Sequence, residues 1–193
     1  MSSWSALDVV VVPGRNESWC SVAEHLALGS LGTVRGLDLD AAFVRRPFSE
    51  QVDAVKRLVR SWPPQPDTLM VGRSFGGYLL LHALWEDEAH PGGLVLVSSV
   101  LGAGGSHRLG FIPPRAAEFE RRVAEGQTPC GRTLLIHTRD DPQCPFAGAE
   151  RVALQIGATL HALDVGGHSL GGAPSALVAR IVADFANPNR EGR

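Results

Sequence analysis

The chain has little cysteine. Its three thiols, Cys20, Cys130 and Cys144, are scattered and odd in number. They form neither a disulfide framework nor a zinc spacing, so the simpler expectation is reduced thiols in a cytoplasm. Long hydrophobic runs are missing too. Nothing approaches the ~20 apolar residues that span a bilayer, which excludes a membrane-spanning helix. The amino terminus lacks a basic region followed by an apolar core and a cleavage site. The apolar run at 7–12 is too short for a signal helix and reads better as a strand. Excess charge of one sign is also absent, the formal net charge being −2. Arg45-Arg46 and Arg121-Arg122 are short pairs that read as solvated faces, so no nucleic-acid partner is expected.

What is present is an ordinary globular composition, 44% hydrophobic and 20% charged over 193 residues. That length fits one domain, 1–193, with one sizeable core. The ordered part is expected over about 7–185, with a polar tail at 187–193 that frays.

Taken in order, the chain alternates strands with helices. Leu7-Asp8-Val9-Val10-Val11-Val12 is a continuous β-branched run, suited to a central parallel strand covered on both faces. Pro13-Gly14 ends it, and Ser18 is placed to cap a helix over 19–28. A weaker strand at 33–39 contains Gly36, which suggests an outer position. Phe48, Val52, Val55, Leu58, Val59 and Trp62 recur at helical spacing, with Ser49 as a plausible cap. Pro63-Pro64 stops that helix. Further strands read at 66–70, 93–99, 133–138 and 159–165. Further helices read at 78–85, 115–125, 145–156 and 174–185, the last with Pro174 near its first position. The segment 101–114 is irregular. This alternation predicts an α/β fold: a doubly wound, mostly parallel six-stranded sheet flanked by helices. In such sheets chemistry sits beyond the carboxyl ends of the strands.

Three stretches have that placement. Gly72-Arg73-Ser74-Phe75-Gly76-Gly77 lies between a strand and a helix, the context of a nucleophile elbow. Side chains two positions before and after the serine would collide across so tight a turn, hence the glycines. The following helix aims its first N–H groups at developing negative charge. Arg139-Asp140-Asp141-Pro142-Gln143-Cys144-Pro145 follows the strand ending at Thr138. Gly166-Gly167-His168-Ser169 follows the strand ending at Val165. A serine hydroxyl needs a base to take its proton, histidine is the natural base near neutral pH, and a carboxylate fixes its tautomer.

These three motifs, in this order, resemble those of the α/β-hydrolase superfamily over nearly the whole chain. The resemblance implies a minimal α/β-hydrolase fold that lacks two antiparallel edge strands. It implies a nucleophile at Ser74, a base at His168 and an acid at Asp141. Asp141 keeps the D-x-x-V-P spacing to Pro145, with Cys144 in place of valine; Asp140 then reads as a solvated loop residue. It also implies an oxyanion hole of two backbone N–H groups. One is that of Phe75. The other comes from Pro13-Gly14-Arg15-Asn16, with Arg15 as candidate and Asn16 in reserve. The usual cap site holds only a short lid-like segment, 101–127.

Several residues have two readings. Trp19 and Phe111 suit an acyl pocket, though Trp19 suits the core equally. Arg15, Asn16 and Arg73 flank the presumed site, where an arginine meets a carboxylate or phosphate or simply faces solvent. His137, inside a strand, reads as a satisfied core histidine. His25 and His82 read as packing or surface residues, and His107 and His161 lack a partner in sequence. The expected activity is that of a serine hydrolase on a small-molecule ester or thioester, with no metal and no organic cofactor. The alternatives are acyl transfer, elimination or cyclisation with the same triad, and a non-catalytic ligand-binding protein.

Overall fold

A computed structural model describes residues 7–62, 64–102, 112–171 and 175–186. Among the described residues six strands form one sheet: β1 Leu7–Val12, β2 Gly32–Gly36, β3 Thr68–Arg73, β4 His90–Val97, β5 Cys130–Thr138 and β6 Thr159–Leu163. Their order is β2-β1-β3-β4-β5-β6, and every pairing is parallel. The helices are α1 Trp19–His25, α2 Ala41–Val44, α3 Phe48–Arg60, α4 Phe75–Trp85, α5 Ala116–Ala124, α6 Phe146–Ile156 and α7 Ser175–Ala186. The predicted doubly wound six-stranded sheet is therefore the fold.

The period of two along each strand divides the core. Val10, Val12, Met70, Leu94, Leu96 and Leu135 point to the face covered by α3, α4, α5 and α6. Val9, Val11, Leu69, Val71, Val95, Val97 and Ile136 point to the other, covered by α1 and α7. Both faces are dry, which explains why β1 and β4 read as unbroken apolar runs. Helix α4 is buried along its whole length, since it lies between the sheet and α3 and α5.

Some boundaries differ from expectation. Helix α1 ends three residues early, where Ala27 turns left-handed at φ 52° and a 3₁₀ turn, Leu28–Ser30, follows. Strand β2 ends at Gly36 because the next residues leave to hold the β1–α1 loop. Asp38 Oδ1 accepts from Trp19 N–H at 2.9 Å, and Leu39 N–H donates to Glu17 O at 3.3 Å. Ser49 is not the cap of α3: that position is Pro47, and no side chain caps the helix. Ser18 does cap α1, accepting from Cys20 N–H at 3.3 Å. Strands β4 and β5 each begin three residues early, His90 pairing with Cys130 beside a register shift that accommodates Pro91.

Phe119 and Val123 of α5 are fully buried, so α5 belongs to the core layer. Tyr78 Oη donates to Pro114 O at 2.7 Å and ties the approach to that helix. Residues 103–111, with His107 and Phe111, and the tail 187–193 lie outside the described residues, as does Pro174.

The strand order reverses direction between β1 and β3. In open parallel sheets, loops leaving the carboxyl ends of the strands diverge at such a point, the usual binding position. Ser74 follows β3 and Gly14 follows β1, so both stand at that point.

Candidate active site

Ser74 sits between β3 and α4 with φ 50° and ψ −121°. A non-glycine residue holds such a conformation only where its surroundings over-determine it. Here two backbone hydrogen bonds do so. Ser74 N–H donates to Val97 O at 2.9 Å, and Val100 N–H donates to Ser74 O at 3.1 Å. The glycines complete the turn, but not as the sequence suggests. A Cβ on Gly72 would meet Gly77 Cα at 2.5 Å, and one on Gly76 would run into the carbonyl oxygens of Val12 and Pro13. Helix α4 begins at once, at Phe75, so Gly76 has already rotated toward β1 while Gly77 packs back over Gly72.

Ser74 occupies the cap position of α4 without capping it. Its hydroxyl is directed elsewhere: Oγ lies 2.9 Å from His168 Nε2. His168 Nδ1 lies 3.0 Å from Asp141 Oδ2. A carboxylate only accepts, so Nδ1 carries the proton and Nε2 presents a lone pair to the serine O–H. The Asp141 side chain is fully buried and that of His168 is 15% exposed. The other Asp141 oxygen, Oδ1, accepts from Gln143 N–H at 2.8 Å and from Cys144 N–H at 2.9 Å. Burial pushes the Asp141 carboxyl up. The hydrogen bonds from His168, Cys144 and Gln143 outweigh it and hold the group below its usual range. The acid is therefore a carboxylate at neutral pH, with each oxygen committed.

Two neighbours whose bonds the sequence does not show support this chain. Buried His137 donates its Nε2–H to Cys144 O at 2.7 Å and lies 3.5 Å from Asp141 Oδ2. Burial lowers its pKa, more than the Cys144 and Asp141 oxygens raise it, so the ring is neutral and its tautomer is fixed by the carbonyl. The expectation of a satisfied core histidine holds, but the bond it makes is to the acid turn. Asp140, expected to be merely solvated, is exposed yet bonded. Its Oδ1 accepts from Gly167 N–H at 2.8 Å and its Oδ2 from Gly166 N–H at 3.2 Å. No sequence signal marks either role, because each depends on which backbone atoms the turns bring within reach.

The residues expected around the oxyanion fare differently. Phe75 is the first residue of α4, directly after Ser74, at the positive end of the helix dipole. The β1–α1 loop abuts the serine: a Cβ on Gly14 would lie 3.3 Å from Ser74 Cβ. Gly14 N–H is committed to Glu17 Oε2 at 2.9 Å. Asn16 N–H donates to Leu39 O at 2.6 Å, and Asn16 takes φ 60°. The Arg15 guanidinium stands 4.1 Å over the Phe75 ring. Partial burial lowers the Arg15 pKa.

Arg73 Nη1 is 2.6 Å from Glu17 Oε1, an ion pair that joins β3 to the β1–α1 loop. Trp19 lies over Gly36 of β2 and packs on the α1–α7 side of the core. A hollow of about 330 Å³ lined by Val59, Trp62, Leu84, His90 and Pro91 lies at the opposite, amino-terminal edge of the sheet.

Asp141, Cys144 and His168 offer three potential metal-ligand atoms within 4.8 Å of one another. Burial, with the Asp141 charge, pushes the Cys144 thiol up to about 12. The carboxylate and the imidazole are already bonded to each other. Such an arrangement can pass a proton from Ser74 Oγ to His168 Nε2 beside a carboxylate that would stabilise the resulting charge.

The chain matches the family described as Serine hydrolase over residues 9–172. No curated protein matches it. Among solved structures it resembles a YdeN-like hydrolase from Pectobacterium atrosepticum at 22% identity, TM-score 0.66, covering 94% of this chain and 91% of that one. It also resembles the ydeN gene product of B. subtilis at 18% identity, TM-score 0.67, covering 93% and 99%. A third likeness is to the monoacylglycerol lipase of Paleococcus ferrophilus at 15% identity, TM-score 0.72, covering 93% of each chain. These likenesses concern the fold, which each shares. The family match spans all three motifs, and on that ground the chain belongs to the Serine hydrolase family within the α/β-hydrolase superfamily.

Proposed function

We propose that this hydrolase cleaves a carboxylic ester or thioester of a small molecule through an acyl-enzyme on Ser74. The observation that carries this is the unbroken chain Ser74 Oγ to His168 Nε2 at 2.9 Å and His168 Nδ1 to Asp141 Oδ2 at 3.0 Å. Ser74 Oγ attacks the acyl carbon as its proton passes to Nε2. The carbonyl π electrons move to oxygen, and the N–H groups of Phe75 and Arg15 stabilise that charge. His168 then gives its proton to the leaving alkoxide or thiolate as the bond to it breaks. A water molecule, deprotonated by the same nitrogen, attacks the ester carbon, and collapse returns the acid product and Ser74. Asp141 stays ionised throughout and steadies the imidazolium.

The reading treats 1–193 as one catalytic domain working in a reducing compartment. Its described cysteines are free, and burial pushes the Cys130 thiol, like that of Cys144, up to about 12.

A fluorophosphonate tests the assignment, since it labels a serine only where a base activates it. The expected result is a single adduct on Ser74, absent in Ser74→Ala, with kcat on a short nitrophenyl ester reduced by roughly 10⁶. Stoichiometric labelling that survives Ser74→Ala refutes it.

A further inference from the structure

Four consecutive residues at the end of β5 each hold the segment that carries His168. Thr138 Oγ1 donates to Gly167 O at 3.0 Å, and Arg139 N–H donates to Leu163 O at 2.8 Å. Asp140 takes the Gly166 and Gly167 N–H groups, one on each oxygen, and Asp141 takes His168 Nδ1. The acid turn thus grips the histidine twice, once by its ring and once by the backbone just before it.

The second grip answers a local problem. Two adjacent glycines precede His168, with φ 147° at Gly166 and 59° at Gly167. Glycine has the most backbone freedom to lose, so this pair by itself would let the imidazole swing. The same positive φ values turn two successive N–H groups toward one point. Such a pair of amides forms a small anion-binding concavity, and a carboxylate suits it. Asp140 supplies that carboxylate from within the chain. The two amides, more than any other cause, hold the Asp140 carboxyl below its usual range, so it remains charged at neutral pH.

We infer that Asp140 is a positioning residue for the hydrolytic reaction: its carboxylate pins the Gly166-Gly167 backbone and so fixes where His168 Nε2 meets Ser74 Oγ. This rests on the triad reading. Asp140 touches neither the reacting atoms nor Ser74; it acts through His168. Loss of the clamp therefore slows the proton transfer and leaves substrate binding alone.

The test uses the full chain with Asp140→Ala and Asp140→Asn, beside Ser74→Ala and His168→Ala. With nitrophenyl acetate, kcat of Asp140→Ala should fall roughly 10- to 100-fold, the scale of a misplacement of about 1 Å at a reacting group. KM and melting temperature should stay unchanged, because the side chain is exposed. Asp140→Asn should recover part of kcat, since its carbonyl oxygen still accepts from Gly167 N–H. In a His168→Ala background, Asp140→Ala should slow residual fluorophosphonate labelling no further. The Nδ1 proton resonance of His168 should broaden in Asp140→Ala. Wild-type kcat in Asp140→Ala overturns the inference, as does an equal loss with and without His168, or a rise in KM at constant kcat. Full turnover in Ser74→Ala or His168→Ala would instead refute the triad, so the two failures are distinguishable.

Discussion

Replacing Asp141 by asparagine should inactivate the enzyme through its tautomer, and the structure explains why the substitution cannot adapt. Asparagine keeps the shape but exchanges one oxygen for an NH₂. Asp141 Oδ1 accepts two backbone N–H groups, at 2.8 and 2.9 Å, so the asparagine oxygen is needed there. Flipping the amide would leave both donors facing an NH₂, at about 1–3 kcal/mol for each buried group left unpaired. The NH₂ is therefore held against His168 Nδ1, where the carboxylate oxygen stood at 3.0 Å. A donor opposite Nδ1 forces the ring proton to Nε2, which then cannot accept from Ser74. The expected loss is roughly 10⁴ in kcat. That is about 5.4 kcal/mol in the barrier, from four factors of ten. The assay is steady-state hydrolysis of nitrophenyl acetate together with the rate of fluorophosphonate labelling, and both should fall in parallel while KM holds. Asp140→Asn should lose far less, because His168 keeps its ring partner. A folded Asp141→Asn enzyme within tenfold of wild type would refute this account, as would equal losses in the two asparagine variants.

Gly76→Ala should destabilise the fold by about 1–3 kcal/mol in urea melts, because its Cβ meets the carbonyl oxygens of Val12 and Pro13 with no flexible side chain to give way; an unshifted midpoint would contradict the packing. Burial holds His82 near pKa 4 among Phe48, Tyr78, Trp85 and Phe119, against 6.5 for a free histidine. The unfolded chain then binds the extra proton first, so stability is full above pH 6.5 and falls by roughly 3 kcal/mol as pH drops toward 4. His82→Leu should flatten that limb of the pH–stability curve, and an unchanged limb would assign it elsewhere. For substrate size, kcat/KM should be highest for short acyl esters, since each CH₂ adds about 0.8 kcal/mol only where a wall buries it. A steady rise from nitrophenyl acetate to palmitate, or activation at an oil–water interface, would reverse that expectation.

The parts of the fold and site that could be read from sequence are those set by neighbours in the chain. Strand β1 is legible because its four valines declare burial on both faces without reference to anything distant. The chemistry is legible for a related reason. In a parallel sheet the ends of β3, β5 and β6 must emerge on one edge, so Ser74, Asp141 and His168 converge once the alternation is recognised. The misses begin where a local signal is overruled. Ser49 is a good cap by type, yet Pro47 takes that position in the fold. Gly36 marked β2 correctly as an edge strand, but nothing nearby could show that residues 37–39 are drawn off to brace Glu17 and Trp19.

The same division separates residues that carry the reaction from residues that orient it. A nucleophile, base and acid must be particular side chains, so their types are visible. Their supports need only present an acceptor or donor at one point, and a backbone atom does that as well as a side chain. His137 is recognisable as buried, but its partner is the carbonyl of Cys144, which any residue would supply. Arg73, too, has a partner that its neighbours in the chain do not announce. Beside a nucleophile, an arginine invites a substrate anion by type alone. Yet Glu17 lies 56 positions away in sequence and 2.6 Å away in space, and its other oxygen holds Gly14 N–H at 2.9 Å. One glutamate thereby joins the strand before Ser74 to the β1–α1 loop. The charge at Arg73 is spent on the frame of the site, and the cation that borders its chemistry is Arg15, stacked over the Phe75 ring at 4.1 Å.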